Sequence, residues 1–142
     1  MSKVWLTLLV TIVVGVAAFF IGPQLWPFGH DVPMPPLGLR PLYMALSAIE
    51  ALAFGFAVAF GIFGWSAIRD LQLGARWLNG MLFVTLLWSL GNWWIHDNLH
   101  MHIGLDMSRL IYIEYGFHLT LLACPLVLAV SLMRIARRAG SR

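Results

Sequence analysis

Apolar and polar positions alternate in long blocks along this chain rather than at the two-residue period of a strand. Four apolar runs stand out: Trp5–Ile21, Leu42–Trp65, Trp77–Ile95 and Leu110–Met133. Each has roughly the 17–25 residues that an α-helix needs to cross about 30 Å of hydrocarbon. Backbone amides in lipid must bond within their own segment, so the runs are predicted as helices. The expected fold is all-α: a polytopic membrane protein, a four-transmembrane-helix bundle forming one domain over residues 1–142. The first run is longer than the apolar part of a signal peptide and is read as a span.

Composition agrees. Hydrophobic residues make up 61% of the chain, charged residues only 11%, and the mean hydropathy is +0.84. A soluble surface needs about 25% charged residues. Nine Lys and Arg against six Asp and Glu leave a net charge of +3, which raises the question of nucleic acid. The basic residues instead cluster beside apolar runs, as in Arg134, Arg137, Arg138 and Arg142, and no basic face with stacking aromatics accompanies them. A nucleic-acid partner is therefore not expected.

With the N-terminus inside, Lys3, Arg69, Arg76, Arg134, Arg137, Arg138 and Arg142 are cytoplasmic, seven of the nine cationic residues, and only Arg40 and Arg109 are outside. That bias predicts both termini in the cytoplasm and the cell (cytoplasmic) membrane as the location. The segment between the first two runs, Gly22 to Pro41, holds Pro23, Pro27, Pro33, Pro35, Pro36 and Pro41 and is expected as a stiff non-helical cap. Thr7, Thr11, Gly15, Ala18 and Gly22, with Gly55 and Ala59, form small faces through which helices approach closely. The lone Cys124 excludes an intrachain disulfide and is read as a small buried hydrophobe.

Candidate chemistry is confined to one end. His30, His96, His100, His102 and His118 all fall on the outer side, with Asp31, Glu50, Asp97, Asp106 and Glu114; only Asp70 is inside. Thr85, Ser89, Asn92 and His96 recur at steps of four, three and four, so they share one face of the third helix. The first three are read as interhelical hydrogen-bonding groups. Glu50, Glu114 and His118 lie inside apolar runs, where ionisable groups need partners and mark ion or proton paths. They are the expected buried polar pair or proton relay, with Glu50 near His118.

His96, Asp97, His100 and His102 form the densest cluster. Imidazole is the commonest protein metal ligand, and its second nitrogen needs an acceptor such as Asp97 or Asp106. His96, His100 and His102 are the expected first ligands, with Asp97, Glu114 and His118 completing the candidate metal set. Imidazole with carboxylate suits copper(II), iron or zinc; the outer methionines Met34, Met44, Met101 and Met107 add a copper-like flavour; haem is a weaker fit.

No HExxH, GxSxG, P-loop or Rossmann pattern is present. Three functions stay open: a metal-handling membrane protein, a non-catalytic accessory subunit of a larger membrane complex or homo-oligomer, and an acid–base enzyme on a lipophilic substrate. Beyond the lipid bilayer, the sequence names no partner.

Overall fold

The computed structural model describes residues 2–32 and 34–140; Pro33 and Arg142, which enter the sequence reading, lie outside the described residues. All regular structure among the described residues is helical: α1 (Lys3–Leu25), a 3₁₀ turn (Leu37–Leu39), α2 (Arg40–Phe63), the short α3 (Trp65–Asp70), α4 (Arg76–Ile103) and α5 (Met107–Ala139). Three segments are long and apolar enough to cross a membrane: Lys3–Leu25, Leu37–Phe63 and Met107–Ala139. At 28 residues α4 reaches about 42 Å, long enough to span, but Asn79, Asn92, His96 and Asp97 dilute its apolar character.

The termini of these helices follow local chemistry. Ser2 caps α1, its hydroxyl accepting from the Trp5 amide at 3.4 Å. Thr7 and Thr11 donate to the carbonyls of Lys3 and Thr7, at 2.9 and 2.8 Å, which satisfies their hydroxyls inside the helix. Pro41 sits in the first turn of α2, where its missing N–H costs nothing. Pro23 belongs to the last turn of α1, so the non-helical cap starts later than the sequence suggested. Asp106 caps α5, accepting from the Ser108 amide at 3.1 Å.

The principal packing runs in chain order: α1 on α2, α2 on α4, α4 on α5. The α1–α2 contact is backbone-close. A Cβ on Gly55 would run into the Thr11 carbonyl and the Gly15 backbone, and one on Gly15 would meet the Leu52 Cα at 3.0 Å. Between α2 and α4, Trp94 packs on Phe54 at 4.4 Å between ring centroids and edge-on to Trp26 at 5.4 Å. At the opposite end, Ile68, Leu73, Leu78 and Leu82 form a second cluster. Asn79 accepts from the Leu73 amide at 3.2 Å, and Arg134 donates to the Leu73 carbonyl at 2.9 Å. The turn between α3 and α4 is thereby tied to α4 and α5 together.

The turn between α4 and α5 is clasped by the cap. Gly29 donates to the Met101 carbonyl at 2.9 Å, and the Asp31 carboxylate accepts from the Leu105 amide at 2.9 Å. Gly104, with φ +64°, ends α4 directly against Asp31, where a side chain would collide with that carboxylate. This clasp sets the register of the two helices that carry the titratable cluster.

Candidate metal centre between α4 and α5

Helix α4 continues eight residues beyond the expected span, to Ile103, so His96 and His100 lie one turn apart on one face. Across from them, Glu114 and His118 stack one turn apart on α5. One ligand atom each from His96, His100 and Glu114 lies within 4.8 Å of the others. The Glu114 carboxylate lies beside two imidazoles: Oε1 is 2.9 Å from His100 Nε2 and Oε2 is 2.8 Å from His118 Nδ1, which hydrogen-bonds the Glu114 backbone carbonyl at 3.0 Å. The ring of His96 stands 4.4 Å from that of His100 and 5.1 Å from that of His118.

His96 is the informative member. It is 9% exposed, and its Nδ1 donates to the Asp97 carboxylate at 2.9 Å. That bond fixes the tautomer and leaves the Nε2 lone pair bare. Nε2 is buried with no hydrogen-bond partner among the described residues. His100 Nε2 is likewise unpartnered: its 2.9 Å approach to Glu114 lacks hydrogen-bond geometry. A buried polar atom left unpaired costs about 1–3 kcal/mol. His100 Nε2 lies against the Glu114 carboxylate and His96 is backed by that of Asp97, which matches the way proteins hold a metal-bound imidazole. Donors around a tetrahedral ion at 2.0–2.1 Å stand about 3.4 Å apart. The three ligand atoms lie within 4.8 Å of one another, so the group could hold one ion.

The remaining sequence candidates fall elsewhere. His102 points away from the cluster, with Nδ1 2.7 Å from the Pro27 carbonyl, so it serves the outer clasp and not the ligand set. Glu50 does not meet His118; its carboxyl lies beside that of Asp97. The chain Glu50, Asp97, His96 thus runs from α2 through α4 into the cluster, while Glu114 and His118 approach from α5.

Asp106 lies apart at the α5 N-terminus, where hydrogen bonds from Ser108, aided by Arg109, hold its carboxyl below the ordinary range. His30 is exposed on the cap.

Two aromatic residues belong to the site that the sequence reading passed over. Phe117 packs on His96 at 5.3 Å and stacks on Trp88 at 5.4 Å with 14° between planes. Their i, i+3 and i, i+8 spacings from Glu114 and to His96 carry the signal, hidden among many aromatics. Asn92 was expected to bond across helices; instead it is 1% exposed and neither amide atom has a partner among the described residues. Comparison with known proteins adds no name to this arrangement: no family model matches the chain, and no curated protein or solved structure matches it.

Proposed function

We propose that this chain is an integral membrane protein that binds a divalent transition-metal ion between α4 and α5, through His96, His100 and Glu114, at the outer end of its helices. Asp97 orients His96, and His118 stands beside the Glu114 carboxylate. The observation that carries this reading is the buried, unpartnered Nε2 of His96, whose other nitrogen is already committed, in a group whose ligand atoms lie within 4.8 Å of one another. Two imidazoles with one carboxylate suit iron(II), zinc or copper(II), and leave positions open for water or substrate.

The four-span topology with both termini cytoplasmic accompanies this reading. α4 packs between α2 and α5, so its polar stripe has protein to face, and the charge bias orients the ends. About 20 residues back from Arg134 along α5 is Glu114, which sets the metal centre at the outer interface, within reach of external ions. A second reading, a non-catalytic subunit of a larger assembly, draws on the 47% exposure of the Glu114 and His118 side chains, which a partner would cover.

Elemental analysis decides between them. Purified protein, stripped with chelator and reloaded, should retain one equivalent of metal through dialysis, and Glu114→Ala should retain none. Metal-free wild type that co-purifies stoichiometrically with a larger complex would favour the subunit reading.

A further inference from the structure

The helix ends remote from the histidine cluster carry an unbalanced charge. There α1 and α4 begin and α2 and α5 end, which gathers Lys3, Arg69, Arg76, Arg134, Arg137 and Arg138. Against them stands Asp70, the one carboxylate at this end among the described residues, and it lies 3.6 Å from Arg69. Trp65 and Trp77 are exposed at the same level, as indole is at a membrane–water interface.

Two of these arginines are held in place by the turn between α3 and α4. Arg134 donates through Nη1 to the Leu73 carbonyl at 2.9 Å, and Arg138, one turn further along α5, donates through Nη1 to the Leu71 carbonyl at 3.3 Å. Both guanidinium groups come to Gly74: a Cβ there would stand 3.2 Å from Arg134 Nη1 and 3.6 Å from Arg138 Nη2. Gly74 has φ +94°, so the turn leaves a bare backbone under the two forks. A carbonyl positions a guanidinium without cancelling its charge, and Arg134 meets no carboxylate among the described residues. Like charges one turn apart on a helix repel, so the pair is stabilised by an anion beside it.

The surroundings name the chemistry of that anion. Leu126 and Val130 precede Arg134 and Arg138 at steps of four on α5 and are 70% and 39% exposed, so an apolar stripe leads up to the guanidinium pair. The planar fork of arginine matches phosphate oxygens bidentately. Resting on the membrane reading above, and independent of the metal, we propose that Arg134 and Arg138 at the Gly74 turn bind the headgroup phosphate of an anionic phospholipid, whose acyl chains lie along Leu126 and Val130. Basic clusters beside a membrane span attract such headgroups. A zwitterionic headgroup brings an ammonium group beside the same phosphate, which the two guanidinium groups repel.

The test reconstitutes the full chain in phosphatidylcholine vesicles with a trace of spin-labelled lipid, and reads the fraction of probe immobilised by the protein. About 1 M salt, with a Debye length of about 3 Å, removes the diffuse attraction of the whole basic end. Spin-labelled phosphatidylglycerol should associate at least about fivefold more strongly than spin-labelled phosphatidylcholine. Arg134→Gln should bring that ratio close to one. Arg138→Gln should lower it severalfold while the Arg134 bond to Leu73 still holds the turn. Lys3→Gln removes the same charge at the same end, but from α1, which packs on α2, and should leave the ratio unchanged. Excess glycerol 3-phosphate should not release the lipid.

If alkaline carbonate strips the protein from the vesicles, the membrane reading itself fails and this proposal with it. If the protein stays integral but shows no preference for phosphatidylglycerol, or both arginine variants keep the wild-type ratio, the lipid site alone is overturned. An equal loss in Lys3→Gln would reduce the preference to diffuse attraction and would also overturn it. Release of the lipid by glycerol 3-phosphate would make the site one for free phosphate and overturn the lipid as its occupant.

Discussion

The two outer pairs of helices solve the same problem in opposite ways. Between α1 and α2 the contact is made by backbone: Gly15, Ala18, Gly55 and Ala59 bring the chains so near that a Cβ on Gly55 has no room. Between α4 and α5 the contact is made by side chains: a Trp–Phe stack, an indole–hydroxyl bond and a cluster of imidazoles around one carboxylate. Lipid gives helices no hydrophobic reason to associate, so close van der Waals packing or polar bonding must supply it. The first device is dry, rigid and chemically silent. The second leaves space and unpartnered nitrogens.

Substitutions separate these two devices. Glu114→Ala or His100→Ala should have the largest effect on function: loss of more than about a hundredfold in metal affinity, because a three-donor site loses a direct ligand, with thermal stability of the apo protein little changed. Isothermal titration with zinc and a melting curve in the same detergent check both halves. A variant that melts early would mean that the cluster holds α5 in place and does not await an ion.

Gly55→Leu should do the reverse. Overpacking against the α1 backbone is expected to cost about 3 kcal/mol, the upper end for inserted bulk, or to splay α1 from α2. The metal site, on the far side of α4, should load normally in whatever protein remains folded. Gly116→Ala, whose new Cβ meets nothing within 4 Å, is the matched control and should be silent.

How much of this contrast is legible in sequence depends on its range. The small faces of α1 and α2 read correctly, because a period of three and four in Gly, Ala and Thr is local information. Glu114 and His118 do stand one turn apart, since both lie on one helix, but they are not the buried pair expected: both side chains are 47% exposed. His102 does not belong to the cluster. Its distance from His100 suggested a shared ligand set, but the continuation of α4 to Ile103 turns it some 200° from His100, and the Pro27 carbonyl takes its Nδ1. Glu50 failed for a related reason: α2 packs on α4, so its carboxyl meets Asp97, and which helices touch is not written in any one helix. His102→Ala should therefore leave metal affinity unchanged, where the sequence alone predicted loss.

Asp97→Asn is expected to have an intermediate effect. The carboxylate fixes the His96 tautomer, and loss of such an outer partner typically lowers metal affinity about 10–100-fold. An asparagine keeps the size and one acceptor, so the site should still form. Competition against a chromophoric chelator gives the affinity. An unchanged value would mean that His96 is not a ligand, and the centre would reduce to α5 and His100.

The smallest effect concerns the turn that holds α4 and α5 in register, and its sign depends on pH. Asp106 accepts from the Ser108 hydroxyl at 2.6 Å and from the Ser108 amide at 3.1 Å, and these bonds, with Arg109 at 3.3 Å, hold its carboxyl below the ordinary value of 3.8. A group depressed on folding contributes stability above its unfolded value and loses it as pH falls through the folded one. The cap should therefore be intact at neutral pH and fail only below about pH 4. Amide exchange at Ser108, Arg109 and Leu110 reads it directly: protection should hold from neutral pH down to that region and then drop. Asp106→Asn remains a good cap without a titrating charge and should remove the acid step. Asp106→Ala should lower protection at every pH, yet leave metal affinity nearly unchanged, since the Asp31 clasp on Leu105 still holds the turn. Metal loss in the alanine variant would show that the register of the site depends on this cap more than on the clasp.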